Sequence, residues 1–158
     1  DSAFFQAALD YAQTTSNQRE RRSILSLLAR KGSEADMLSL MDLVQTDAFQ
    51  GQEAWSVYLS SLSNEAGADA AWVKFQADFD AIIARTPEIR KPQTARIVGN
   101  FCTNESIDEA IAFIESKADL IPGYERRLAQ SSESARLCAA FRAAKSDELA
   151  EALLARAE

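Results

Sequence analysis

The side chains of this sequence with chemical potential are carboxylates, arginines and two cysteines, and spacing decides what each could do. Carboxylates stand in adjacent pairs at Asp108-Glu109 and Asp147-Glu148. Two carboxylates facing one substrate can divide acid and base roles without a cofactor. Both pairs, however, fall where the first turns of helices are expected, and there a carboxylate meets the positive end of the helix dipole. Their expected role is therefore structural. Arginines cluster at Arg19, Arg21 and Arg22, and again at Arg126 and Arg127. A guanidinium offers a planar fork suited to an anion such as a peptide carboxylate. The plainer expectation is solvated or salt-bridged helix surface. Cys102 and Cys138 lack the spacing of a metal knuckle or a redox pair. Ile97, Val98 and Phe101 flank the first, and Leu137 and Phe141 the second. The expectation is two buried free thiols, with a disulfide between them as the alternative.

The chain contains no histidine. That excludes an H-E-x-x-H zinc site and any Ser-His-Asp or Cys-His nucleophile pair. Gly32, Gly51, Gly67, Gly99 and Gly123 are too scattered for a phosphate-binding loop. No residue is therefore assigned a catalytic or metal-binding role, and no cofactor is expected in this chain.

Composition points the same way. With 158 residues, 47% of them hydrophobic, the chain fits a single domain over 1–158 whose core is large enough to stand without metal or disulfide support. A net charge of −7 opposes binding to phosphate backbones and anionic membranes. No apolar run approaches the roughly 20 residues of a membrane span. The opening DSAFFQAALD lacks the basic and apolar regions of a signal peptide. Because the chain does not begin with Met, it reads as a C-terminal piece of something longer, and a targeting signal could lie outside it. The compartment stays open, with a soluble, cytoplasmic protein favoured over an exported one.

Helix signals dominate the elements that carry these residues. Phe4, Phe5, Ala8, Leu9 and Tyr11 mark a first helix. Asn17 with Glu20 reads as a capped start, and Gly32 as the following stop. Met37, Leu40, Met41 and Val44 share one helix face, and Trp55, Tyr58, Leu59 and Leu62 another. Asn64–Gly67 is a loop. Trp72, Phe75, Phe79 and Ile82 line the strongest stripe, expected as core over about 68–85. Lys91-Pro92 should open a helix carrying Ile97, Val98 and Phe101. Ser106-Ile107-Asp108-Glu109 reads as a capping box before Ile111 and Ile114. After the turn Ile121-Pro122-Gly123, a long segment runs from Tyr124 to about Ala144. Ser146 should then cap a last helix containing Leu149 and Leu153. No segment alternates with period two. The fold class is all-α: stacked antiparallel helical hairpins, α-solenoid-like in the HEAT/armadillo manner. No fixed repeat period appears.

Several of these residues also carry a resemblance. The run Ala71-Trp72-Val73-Lys74-Phe75-Gln76-Ala77-Asp78-Phe79-Asp80 resembles a segment of the helical C-terminal domain of gluzincin aminopeptidases. That group holds the alanyl, puromycin-sensitive and endoplasmic-reticulum aminopeptidases. Phe101-Cys102, Ile121-Pro122-Gly123, Arg127-Leu128-Ala129-Gln130, Glu133 and Leu137-Cys138 are similar to later motifs of the same domain, with Arg127 one place late. The resemblance implies a non-catalytic domain that closes the chamber of a zinc-dependent aminopeptidase and limits peptide access. Zinc and the catalytic residues would then lie in an upstream domain. The implied partners are the catalytic domain of the same polypeptide and the peptide substrate, with neither nucleic acid nor membrane. A free-standing helical scaffold for protein–protein interaction is the alternative, and a small carboxylate- or arginine-based enzyme a distant third.

Overall fold

The computed structural model describes residues 2–157, without the side chains of Ser2, Asp147, Ala150, Leu153, Leu154, Arg156 and Ala157. Among the described residues the chain is helical and contains no strand. It forms two compact units, Asp1–Glu88 and Ile89–Glu158.

The first unit comprises α1 (Ser2–Thr14), α2 (Gln18–Lys31), α3 (Glu34–Leu43), α4 (Gly51–Ser61) and α5 (Ala68–Ala84). α2 packs on α1, α3 and α4, and α5 on α3 and α4. Local chemistry sets the boundaries. The Asn17 side chain accepts from Glu20 N and starts α2, and Gly32 N–H caps its end on Leu28 O. Ser33 accepts from Asp36 N and starts α3. Glu53 closes a capping box on Gln50 at the head of α4. Asn64 organises the loop before α5. Its Nδ2 donates to Ala29 O and Gly32 O at 2.9 Å each, while its Oδ1 accepts from Ala66 N and Gly67 N. The core is built from Leu25, Leu28, Met37, Leu40, Met41, Val57, Tyr58, Phe75, Phe79 and Ile82, all nearly solvent-free. Burying each large apolar side chain contributes roughly 1.5–3 kcal/mol.

The second unit holds all but the first residue of a 3-10 segment (Glu88–Asn100), then α6 (Asn104–Ser116), a short 3-10 turn (Ala118–Leu120) and α7 (Glu125–Ala157). α6 packs on α7. Ile97, Val98, Ile107, Ala110, Ile114, Ile121 and Ala135 form its core. Gly123 turns the chain into α7 at φ 80°, a left-handed conformation that suits glycine.

Three boundaries depart from expectation. Lys91-Pro92 does not open an α-helix; Pro92 lies inside the 3-10 segment. The cap of α6 is Thr103, whose side chain accepts from Ser106 N, three residues before the expected Ser106. Thr103 has the extended backbone an N-cap requires. Finally, α7 runs through Ser146 without a break. No Gly or Pro follows Gly123, and Lys145 pairs with Glu148 one turn on, so nothing stops the helix. Leu149 is exposed rather than interior, and the expected place of the Leu153 side chain lies outside the described residues.

Candidate functional site

The paired carboxylates do not converge on a reaction site. With α6 starting at Asn104, Asp108 lies past the first turn and takes an ion pair from Arg136 of α7. Arg136 also donates to Asn104 Oδ1 at 3.0 Å. Asp147 and Glu148 sit well inside α7, where no orphan N–H groups await a carboxylate. Their expected role at a helix start is therefore corrected.

A denser polar cluster joins α3, α4 and α5. The Tyr58 hydroxyl donates to Asp78 and accepts from Gln45 Nε2 at 2.9 Å. Lys74 bridges Asp42 and Asp78, the latter at 3.2 Å. Burial, and then the hydrogen bond and charge of Asp78, push the Tyr58 phenol well above its ordinary range. For Lys74, partial burial pulls downward, but Asp42 and Asp78 outweigh it and the ammonium is held more firmly. A phenol locked in its protonated form is no base or nucleophile near neutrality. The cluster ties helices together.

The arginines divide into tied and available groups. Arg21 is spent on the buried Glu53, Nε to Oε1 at 3.2 Å. Arg85, at the end of α5, gathers the loop after α3. Its guanidinium donates to Val44 O at 2.9 Å, Gln45 Oε1 at 3.3 Å, Thr46 O at 3.1 Å and Phe49 O. Arg19 and Arg126 are exposed. Arg127 faces a pocket within the second unit.

That pocket, of about 240 Å³, is lined by Arg96, Gly99, Arg127, Gln130, Ser131 and Ser134. The 3-10 segment supplies the first two residues and α7 the others. Ser131 holds the two elements together. Its hydroxyl lies 3.0 Å from Ala95 O and 2.7 Å from Arg127 O. Arg127 donates to Gln130 Oε1 at 3.2 Å. A Cβ on Gly99 would lie 3.6 Å from Ser131 Cβ, an ordinary van der Waals contact.

The cysteines are joined. A disulfide links Cys102, after the 3-10 segment, to Cys138 of α7, with Cα atoms 5.3 Å apart. The expected buried free thiols are thus corrected, and Cys138 is exposed. The packing of the 3-10 segment on α7 brings positions 36 residues apart in sequence into bonding range.

A zinc site does not fit these residues. Among those described, no three His, Cys, Asp or Glu side chains group as metal ligands, and both cysteines are consumed by the disulfide. The comparison with protein families is decisive instead. Residues 1–137 match the family model described as "ERAP1-like C-terminal domain". The chain belongs to this family. No curated protein matches it.

An ERAP1-like C-terminal domain is a non-catalytic domain of a peptidase, and the resemblance carried by the motifs from Ala71 to Leu137 agrees with the match. Within this ERAP1-like domain, the Trp72, Phe75 and Phe79 stripe is core, as its spacing predicts. Sequence reasoning missed the Arg85 clamp, the Tyr58–Asp78 bond and the Arg96–Arg127 pocket. Each joins segments distant along the chain, and no periodicity reports such a contact.

Proposed function

We propose that this ERAP1-like domain closes the chamber of a zinc-dependent aminopeptidase and limits which peptides reach the catalytic centre. The observation that carries the proposal is the family match over residues 1–137. The absence of histidine from the sequence supports a role without peptidase chemistry of its own. Its partner is the catalytic domain of the same polypeptide, where zinc and the general base reside.

The test compares the intact parent enzyme with a variant lacking these 158 residues. The truncated enzyme is expected to keep its zinc and to cleave a short aminoacyl reporter, while its discrimination among peptides of different length is lost. Unchanged length discrimination would exclude the chamber-closing role.

We infer further that the domain matures in an oxidising compartment rather than the cytoplasm. The Cys102–Cys138 disulfide supports this, because such bonds persist outside the reducing cytosol. Among the described residues no helix is long and apolar enough to cross a membrane. Alkylation of the natural protein checks the inference: thiols blocked only after reduction agree with it, and thiols labelled without reduction oppose it.

A further inference from the structure

The pocket between the 3-10 segment and α7 has an unusual charge balance. The chain carries a net charge of −7, yet the lining holds two arginines and no carboxylate. Several cations elsewhere meet carboxylates, as in Arg21–Glu53, Lys74–Asp78 and Arg136–Asp108. Arg127 instead meets an amide oxygen, that of Gln130 at 3.2 Å. Arg96 is exposed and forms no hydrogen bond or ion pair among the described residues. Each guanidinium has five N–H donors in a flat fork, so the lining offers far more donors than acceptors. The Gln130 amide nitrogen adds to that surplus, whereas the Ser134 hydroxyl donates to Gln130 O at 3.2 Å.

Size narrows the ligand. At about 240 Å³ the pocket lies below the roughly 300–1,000 Å³ of sites that enclose a drug-sized molecule. It suits one charged group. We propose that this pocket binds a small oxyanion, a carboxylate or phosphate group, held between Arg96 and Arg127 on a floor formed by Ser131. Arginine forks match the geometry of both groups. Gly99 brings no side chain to this wall, so a large one introduced there would compete with the ligand for space. The site lies within the second unit and does not depend on the chamber-closing role.

Two probes distinguish the sources of such a group: inorganic phosphate and N-acetylglycine, whose only charge is its carboxylate. Each is titrated into the 158-residue chain and followed by calorimetry at low salt. At least one should bind with a Kd on the order of 1 mM or tighter. The one that binds identifies the source. Arg96→Gln and Arg127→Gln should each weaken binding about tenfold or more. Gly99→Leu should block it by filling the pocket, at an unchanged thermal midpoint. Arg126→Gln, exposed and outside the lining, should leave it unaltered. Failure of both probes to bind, or binding that survives Arg96→Gln and Arg127→Gln alike, overturns the proposal. Should Gly99→Leu fail to fold, the exposed Arg96 carries the same test.

Discussion

Trp72 lies flat against Phe75 one turn along α5, with ring centroids 5.6 Å apart and planes within 19°. Phe75 in turn meets Trp55 and Tyr58 of α4 and Phe79 of α5, so one ring relays contact between two helices. Trp72 is 7% exposed. Truncating a large buried aromatic costs about 3–5 kcal/mol through lost transfer energy and the cavity left behind. Trp72→Ala should lower the thermal midpoint on the order of 10 °C, or abolish soluble expression. Trp72→Phe should recover part of the loss. A Trp72→Ala protein melting within a degree or two of wild type would mean that the indole contributes little to the core.

The disulfide closes a loop of 36 residues. Loop-closure entropy in the unfolded chain assigns such a bond about 4 kcal/mol. A bond of that size matters most to the second unit, which has few helices to bury against one another. Replacing Cys102 and Cys138 together by Ser should lower the urea midpoint clearly, and reduction of the wild-type protein should do the same. Coincident unfolding curves for oxidised and reduced protein would show that the bond is mechanically idle.

The helices were largely legible in the sequence, and the contacts between them were not. Helical spacing identifies Met37, Leu40, Met41, Phe75 and Phe79 as core because a helix repeats its faces locally. Asn17 reveals itself as a cap for the same local reason. The misplaced boundaries at Ser106 and Ser146 come from residues that can cap a helix but sit inside one. A serine signals a start only where the backbone is free to be extended. The pairing of Cys102 with Cys138, and the meeting of Arg96 with Arg127, depend on how the 3-10 segment lies on α7. That geometry leaves no periodic trace. The family resemblance was legible because it rests on the order of motifs along the chain.

Arg85 should prove irreplaceable by lysine. Its fork reaches Val44 O and Thr46 O together, at 2.9 and 3.1 Å, and a lysine ammonium cannot span such a set. Gly51 sits directly against this residue, since a Cβ there would come within 2.5 Å of Arg85 O. Arg85→Lys should cost about 1–3 kcal/mol by leaving part-buried carbonyls unmet. Gly51→Ala should destabilise through the same corner by displacing the Arg85 backbone. Native-state hydrogen exchange would report the loss as faster exchange at residues 44–51. Unchanged exchange there in Arg85→Lys would rule out the clamp.

Alkaline pH should expose the Tyr58 cluster. Burial and Asp78 raise the folded phenol above its ordinary value of 10.0. The folded protein therefore keeps a proton that the unfolded chain releases. This contribution to stability is complete below the unfolded value and is lost as pH rises above it. Lys74, held by Asp42 and Asp78 above its ordinary 10.5, acts in the same direction. Unfolding free energy should thus be flat through neutral pH with respect to these two groups and fall once pH exceeds about 10. Tyr58→Phe removes the titrating hydroxyl. It should cost about 1–3 kcal/mol at neutral pH, because Asp78 and Gln45 lose their shared partner. It should also flatten the alkaline fall, leaving only the Lys74 component. Urea unfolding of both proteins across that range gives the two slopes. Identical slopes would show that the Tyr58 proton is not held by the fold.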